Sequence, residues 1–339
     1  MKTPAGGLRL GTTLFSFTNE YHSRKCSVEQ LIDKTAELDL GPGLEILGFS
    51  HIREYPNVSN EFVDMFHKAI GRTKLQPSCL SMNCDVMIRR TRPMTLDESY
   101  EYHKAQIETA AKLGIPVAKT QVMAGPDVLE RLVPLAERLG VKVGVEIHTP
   151  ESADSPNVLA FREMYAKIGS PFLGFVPDFG SCVISVPQCF VQHFREIGIQ
   201  EKFIEIALEA WGAEGSFPER IGRYQQLERA AGAGDREIGA MFMIFGMLGR
   251  QEPRKWLEIM PQVIHIHAKF YDANEPSIPF DELLPLFRDN GYNGYLASEW
   301  EGHAFVDDDA SGQLVALHDR MRRILAQEPA AASSRSTTV

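Results

Sequence analysis

Glu146, Asp178, His267 and Glu299 stand at or near the ends of four successive apolar runs, VGVEIHTP, FVPDFG, HIHAKF and YLASEWEG. Three carboxylates and one imidazole, with no thiolate among them, make a hard, oxygen-rich donor set. It suits one divalent ion with positions left open for water or substrate, Mn²⁺ foremost, with Mg²⁺, Fe²⁺ and Co²⁺ as alternatives. A closed structural zinc site would place cysteines there. Other polar groups flank the four. His148 lies one inward step above Glu146, Lys269 and Glu301 hold the same step above His267 and Glu299, and His265 lies one step below His267. An imidazole titrates near neutral pH, so His148 is the expected general base; Glu146 is the alternative, although coordination would lower its basicity. Glu299 and Lys269 complete the expected catalytic set. Lys119 in VAKTQV, Glu301 and His265 are the expected substrate contacts, each with a structural alternative: a neutralised acid for Lys119, a rim salt bridge for Lys269 with Glu301, a satisfied core position for His265. Glu45 in LEILGF is read as a structural acid, and Glu45 with His51 only as a secondary candidate site.

These groups converge only if strands present them on one side. Alternate side chains of a strand point the same way. Glu146 and His148, His265, His267 and Lys269, and Glu299 with Glu301 would then face one interior, whereas Val143, Val145, Ile147, Ile264, Ile266, Ala268 and Trp300 would face outward. Charges gathered in an apolar interior are costly unless paired or metal-bound. The period of the sequence predicts strands over 8–15, 44–49, 75–82, 117–122, 142–148, 172–178, 263–269 and 295–299. Helices are expected between them, over 28–38 with Ser27 as cap, 60–70, 96–113, 126–139, 156–168, 280–289 and 310–325, with Gly114 and Gly140 closing two of them. Eight βα units close most economically into a (β/α)8 TIM barrel, whose active sites sit at the carboxyl ends of the strands.

The barrel is expected as one domain over 1–326, with a helical insertion between strands 6 and 7 at about 183–260 and a flexible tail over 327–339. The insertion should contain helices over 199–211, 218–231, 235–248 and 253–260. Its segment AMFMIFGML, 240–248, is apolar on nearly every side and so packs beneath the insertion or against another chain. Composition excludes other classes. A net charge of −10 without a basic stripe argues against nucleic acid, and no run suits a membrane span or an amino-terminal leader. Five scattered cysteines read as reduced thiols of a cytoplasmic protein. The early glycines Gly6, Gly7 and Gly11 lack the spacing of a nucleotide fingerprint.

The order VEIH, PDFG, HIHAKF and SEWEG resembles the xylose-isomerase-like barrel superfamily of sugar phosphate isomerases and epimerases, over essentially the whole barrel. In its ketose 3-epimerases the metal ligands match Glu146, Asp178, His267 and Glu299. The chain departs from them at two substrate-binding positions, where Ser181 stands for a histidine and Ala273 for an arginine. The phrases LEILGFSHIREYP and YLASEWEG, with the long insertion, resemble the α subunit of C-glycoside deglycosidases. That resemblance implies a metal-dependent carbon–carbon lyase acting on an oxidised, 3-oxo-C-glycoside. Proton abstraction at C2, with the ion as Lewis acid on the ketone, would precede β-elimination of the aglycone. It also implies a small β subunit and a hetero-oligomer. The alternative is a sugar isomerase or 3-epimerase in which Glu146 and Glu299 flank an enediolate. The superfamily's repair nucleases would need more histidines and a basic face.

Overall fold

The computed structural model describes residues 7–327; residues 1–6 and all of the expected tail but Gln327 lie outside the described residues. All eight expected strands form: β1 Arg9–Thr13, β2 Gly43–Leu47, β3 Gln76–Ser81, β4 Val117–Gln121, β5 Lys142–Ile147, β6 Leu173–Pro177, β7 Ile266–Phe270 and β8 Tyr295–Trp300. They run parallel in the order β6-β5-β4-β3-β2-β1-β8-β7, and parallel bridges Phe175 to Val263 and Asp178 to His267 join the two ends, making a nearly closed TIM barrel.

Helices follow the strands and lay apolar stripes on their outer faces. Val28–Glu37 begins with a capping box, in which Ser27 accepts from the Gln30 amide and Gln30 accepts from the Ser27 amide. Pro126–Leu139 buries Val128, Leu129, Leu132, Val133, Leu135 and Ala136, and ends at Gly140 with φ +67°, a left-handed turn that glycine adopts without strain. Val143, Val145 and Ile147 of β5 are fully buried, as the outward parity requires.

Parity fails at one position. Ile264 was expected outward, yet it fills space beside β5 and β6, where a Cβ on Gly144 or Gly174 would come within 2.9 and 2.5 Å of it. The physical reason is that regular strand pairing in β7 starts only at Ile266, so alternation does not extend back to 264. The two glycines make room for the side chain.

Between β6 and β7 the insertion holds helices Gln188–Glu196, Glu201–Gly212, Phe217–Ala230 and Asp235–Met247, then 3-10 turns Pro253–Glu258 and Met260–Gln262. The first was not expected, and the stretch expected as a helix over 253–260 is a 3-10 turn opening at Pro253. The apolar segment 240–248 packs mainly within the insertion: Met241, Ile244, Phe245 and Leu248 are buried, leaving Phe242 as its large exposed side chain, 40% exposed. Among the described residues no helix is long and apolar enough to cross a membrane.

Glu228, in this insertion, is buried with neither carboxylate oxygen hydrogen-bonded. Burial, reinforced by Glu237 and opposed by Lys202, pushes it up to about 7. A carboxyl raised on folding binds its proton more tightly in the native state, so stability is lost as pH rises from the ordinary carboxylate range through about 7. Glu228→Gln is therefore expected to gain about 1–2 kcal/mol at pH 8 and nothing at pH 4, read by urea unfolding at both. An equal change at both values would trace the effect to packing rather than charge.

Candidate active site at the barrel mouth

The carboxyl ends of β5 to β8 bring Glu146, Asp178, His267 and Glu299 together, with one donor atom of each lying within 4.8 Å of the others. All four are buried, the most exposed being Glu299 at 7%. His267 Nδ1 is 2.9 Å from Glu146 Oε1 and 3.2 Å from Glu299 Oε2. Asp178 Oδ2, His267 Nδ1 and Glu299 Oε2 are buried and make no hydrogen bond of regular geometry, only ion-pair approaches to one another and to Lys269 and Glu146. Three such ligand atoms facing one another fit a divalent ion, whose coordination would satisfy them all.

The other nitrogen of His267 identifies a residue whose site role the sequence did not reveal. His267 Nε2 lies 3.0 and 2.9 Å from the two oxygens of Glu45, which also receives His265 Nε2 at 2.8 Å. A register shift between Leu44 and Glu45, where β2 pairs with β3, accompanies this inward carboxylate. Burial alone would raise the Glu45 carboxyl, but the charges and hydrogen bonds of His267 and His265 outweigh it and hold the group ionised. With Nε2–H donating to Glu45, an ion bound in place of the Nδ1 proton would meet a His267 lone pair aimed at the cluster, the arrangement by which a carboxylate fixes a ligating histidine. Glu45→Gln is expected to weaken metal binding about 10–100-fold, read by competition with a chromophoric chelator, with the circular dichroism of the metal-free protein unchanged. Unaltered affinity would exclude this role. His51, the other member of the secondary candidate pair, lies elsewhere: its ring accepts from the Leu47 amide, and burial pushes it down to about 3.

The two lysines lock the acids from either side. Lys119 Nζ is 2.8 Å from Glu146 Oε2, and Lys269 Nζ lies 3.0 Å from Asp178, 3.4 Å from Glu299 and 2.9 Å from Glu301. Burial opposes both charges, but these carboxylates prevail and raise both lysines. Burial raises Glu146 and Glu299 too, yet Lys119 and His267 for the first, Lys269 and His267 for the second, bring them below the ordinary carboxylate range. Asp178 shifts the other way, since burial exceeds the help from Lys269 and His148.

A cavity of about 190 Å³ opens over this cluster, lined on its polar side by Lys119, Glu146, His148, Lys269, Glu299 and Glu301. His148 keeps 26% of its side chain exposed, with Nε2 3.9 Å from Asp178 Oδ2. Its Nδ1 lies 2.6 Å from the Thr149 carbonyl and donates to it, so in the neutral ring the lone pair is on Nε2. His265 does not line the cavity; its ring is buried beneath, against Glu45. Ser181 donates to the Ile147 carbonyl and Ala273 is buried, so neither position offers the imidazole or guanidinium of the ketose 3-epimerases.

The chain is 38% identical over 341 residues to the 3'-dehydrocarminate deglycosidase alpha subunit of Microbacterium sp., covering 96% of this chain and 98% of that one. It is 37% identical over 327 residues to the C-glycoside deglycosidase alpha subunit of Arthrobacter globiformis, covering 94% and 93%. The chain belongs to the C-glycoside deglycosidase alpha-subunit family. No family model matches it. Among solved structures, the D-allulose 3-epimerase from Methylomonas sp. superposes with a TM-score of 0.58 at 10% identity, covering 96% of this chain and all, 100%, of that one. The IolI protein with a bound zinc atom superposes at 0.53 and 12% identity, covering 94% and 98%. At such identities these two show the fold alone: this C-glycoside deglycosidase alpha-subunit relative shares their barrel.

Proposed function

We propose that this chain is the catalytic subunit of a metal-dependent carbon–carbon lyase that releases the aryl group of 3-oxo-C-glycosides by elimination. The observation that carries the reading is His148, which lines the cavity over the cluster with its Nδ1 held by the Thr149 carbonyl. The Microbacterium relative, named for a 3'-dehydro substrate, supports an oxidised sugar as the partner of that base.

In such a substrate the C2 proton is acidic because C2 adjoins the C3 ketone. Glu146, Asp178, His267 and Glu299 would hold one divalent ion, for which Mn²⁺ is our assignment; when bound it supplies Lewis-acid stabilisation to a ketone oxygen. His148 Nε2 takes the C2 proton. Glu146 and Glu299 are poorer candidates for this step, because lysine and histidine neighbours lower them below the ordinary carboxylate range and so weaken them as bases, and both belong to the ion site. The C2–H electron pair becomes the C1–C2 double bond as the bond from C1 to the aryl carbon breaks, and that carbon takes up one proton. The sugar enone and the protonated arene together contain the atoms of the substrate. Lys269, kept protonated by Asp178, Glu299 and Glu301, is the donor we assign to the leaving carbon, and Lys119 holds Glu146 in place.

The names of both relatives are those of alpha subunits, and we extend to this chain a small β subunit as partner. Incubation of the Mn²⁺-loaded chain, with and without that partner, with a 3-oxo-C-glucoside and separately with free ketoses tests the reading. Free arene from the first is expected; a ketose epimer with no arene would replace elimination by the isomerase mechanism.

A further inference from the structure

A second cavity, of about 250 Å³, opens where the chain leaves β5 and β6, and it shares no lining residue with the one over the cluster. Its walls include Thr149, Ser181, Arg220, Arg250, Gln251 and Lys255. The insertion returns to the barrel here. Cys182 and Arg250 form an antiparallel bridge, Gln251 donates its amide to the Ser181 carbonyl at 2.7 Å, and Gly249 passes so close that a Cβ on it would lie 2.7 Å from Ser181. The backbone that carries Arg250 is therefore fixed. Arg220 comes from the helix Phe217–Ala230 and is only 7% exposed. Both guanidiniums converge on one acceptor, the Trp211 carbonyl, 3.0 Å from Arg220 Nη1 and 3.2 Å from Arg250 Nη1, and the latter also donates to the Gly212 and Ala213 carbonyls. Arg220 Nε is buried without an acceptor, and among the described residues no carboxylate oxygen lies within 4.0 Å of either guanidinium.

Two like charges held side by side, one of them buried, are costly without a counter-charge. The end of the helix Glu201–Gly212 supplies part of one, since a helix carboxyl terminus carries about half a negative charge, against two positive charges on the arginines. The acids of the wall add little. Glu151 accepts from Ser155 and Asn157, Asp154 is paired with Lys255, and Glu252 is exposed. Glu214 acts on Arg220 only from beyond ion-pair distance. The hydroxyls of Thr149 and Ser181 already donate to the Gly180 and Ile147 carbonyls, so the donors left for a ligand are mainly those of the guanidiniums.

We infer that this cavity is a binding site for a small molecule carrying a single carboxylate, held by Arg220 and Arg250. A planar carboxylate matches the fork of a guanidinium and can bridge two of them. A monoanion cancels most of the charge that the helix end leaves, whereas a dianion such as phosphate would bring excess negative charge beside Glu151, Asp154 and Glu252. The volume, below the ~300–1,000 Å³ of cavities that enclose drug-sized molecules, limits the ligand to a few heavy atoms around that group. The site adjoins the catalytic one, because Thr149 both walls it and accepts from His148 Nδ1. Its assignment does not depend on the elimination reading.

The test titrates acetate into the Mn²⁺-loaded chain by calorimetry, at constant ionic strength set with chloride, and compares wild type with Arg250→Gln, Arg250→Lys and Arg220→Gln. Affinity for acetate is expected to fall about tenfold or more in Arg250→Gln and Arg220→Gln, and by less in Arg250→Lys, which keeps the charge but not the fork. Arg250 is exposed, so its substitution leaves the core intact even where loss of the buried Arg220 destabilises the insertion. Phosphate should bind no more tightly than acetate; tighter phosphate binding would overturn the choice of a monoanion. Acetate held by the ion instead would be lost in Asp178→Ala and kept in Arg250→Gln, and that pattern would remove the site, as would wild-type heats no different from those of chloride. Repeating the titration with the β partner present identifies the source of the carboxylate. Retained acetate binding supports a free ligand, whereas binding abolished by the partner would assign the two guanidiniums to a carboxylate of that subunit and overturn the small-molecule site.

Discussion

Replacing His148 by alanine is expected to lower arene release from a 3-oxo-C-glucoside by about 10²–10⁴-fold, the range of a positioned general base. Bound metal should stay at the wild-type level. The separation of these two readouts follows from geometry. His148 is 3.9 Å from Asp178 and contributes no atom to the four-residue cluster, while its Nδ1 is committed to the Thr149 carbonyl. Removing the ring takes away the proton acceptor but leaves Glu146, Asp178, His267 and Glu299 facing one another. Both lysines that line the cavity are ion-paired and raised, so neither can substitute as base. His148→Gln sharpens the test, since it preserves much of the side-chain volume and can still hydrogen-bond but cannot accept a proton at this pH. Turnover in that variant close to wild type would move the base to Glu146. Exchange of the C2 proton with deuterated solvent gives a second, independent measure. It should disappear together with arene release if His148 removes that proton, and it should persist if the substitution only impairs departure of the aryl group.

Why His148, and not only the ligand set, could be located in the sequence lies in the two-residue period of strands. In VGVEIHTP the period carries Glu146 and His148 to the same side, and pairing of β5 with β4 and β6 fixes that side as the interior. The same logic failed for Ile264, where the chain is not yet paired as regular strand. Glu45 is a different case. Its partners His265 and His267 are 220 and 222 residues away, and nothing local in LEILGF distinguishes an acid that orients a ligand from one in a salt bridge. Only the closed sheet brings β2 opposite β7. The helix Gln188–Glu196 was missed because its apolar stripe is short, Phe190, Val191 and Phe194, and it follows a loop with no side-chain cap. AMFMIFGML illustrates a further limit, since composition cannot distinguish a helix covered by its own insertion from one covered by a partner. Here Met241, Ile244, Phe245 and Leu248 take the first course.

Stripping the metal should be the more severe perturbation, with arene release falling about 10³-fold or more, corresponding to the several kcal/mol that a Lewis acid contributes to a developing negative charge. Asp178→Ala is expected to do the same and to lower bound metal to background. Four carboxylates, Glu45, Glu146, Asp178 and Glu299, crowd around His267, and the single ammonium of Lys269 is shared among Asp178 Oδ2 at 3.0 Å, Glu299 Oε2 at 3.4 Å and Glu301 at 2.9 Å, without a hydrogen bond of regular geometry to the first two. Burial also raises the Asp178 carboxyl, a cost that coordination would offset. An ion that binds only the folded state adds stability as RT ln(1 + [L]/Kd), about 4 kcal/mol at 1,000 times Kd. Saturating Mn²⁺ should therefore raise the melting temperature of wild type and leave Asp178→Ala unmoved. Back-titration of stripped protein should restore turnover with Mn²⁺ in preference to Mg²⁺, at about one ion per chain. Full turnover after exhaustive chelation, or an Asp178→Ala variant that still binds one equivalent, would separate the cluster from catalysis. The four acids and His267 would then have to be explained by charge pairing alone, Lys119 with Glu146, Lys269 with Asp178 and Glu299, and a doubly protonated His267 between Glu45 on one side and Glu146 and Glu299 on the other.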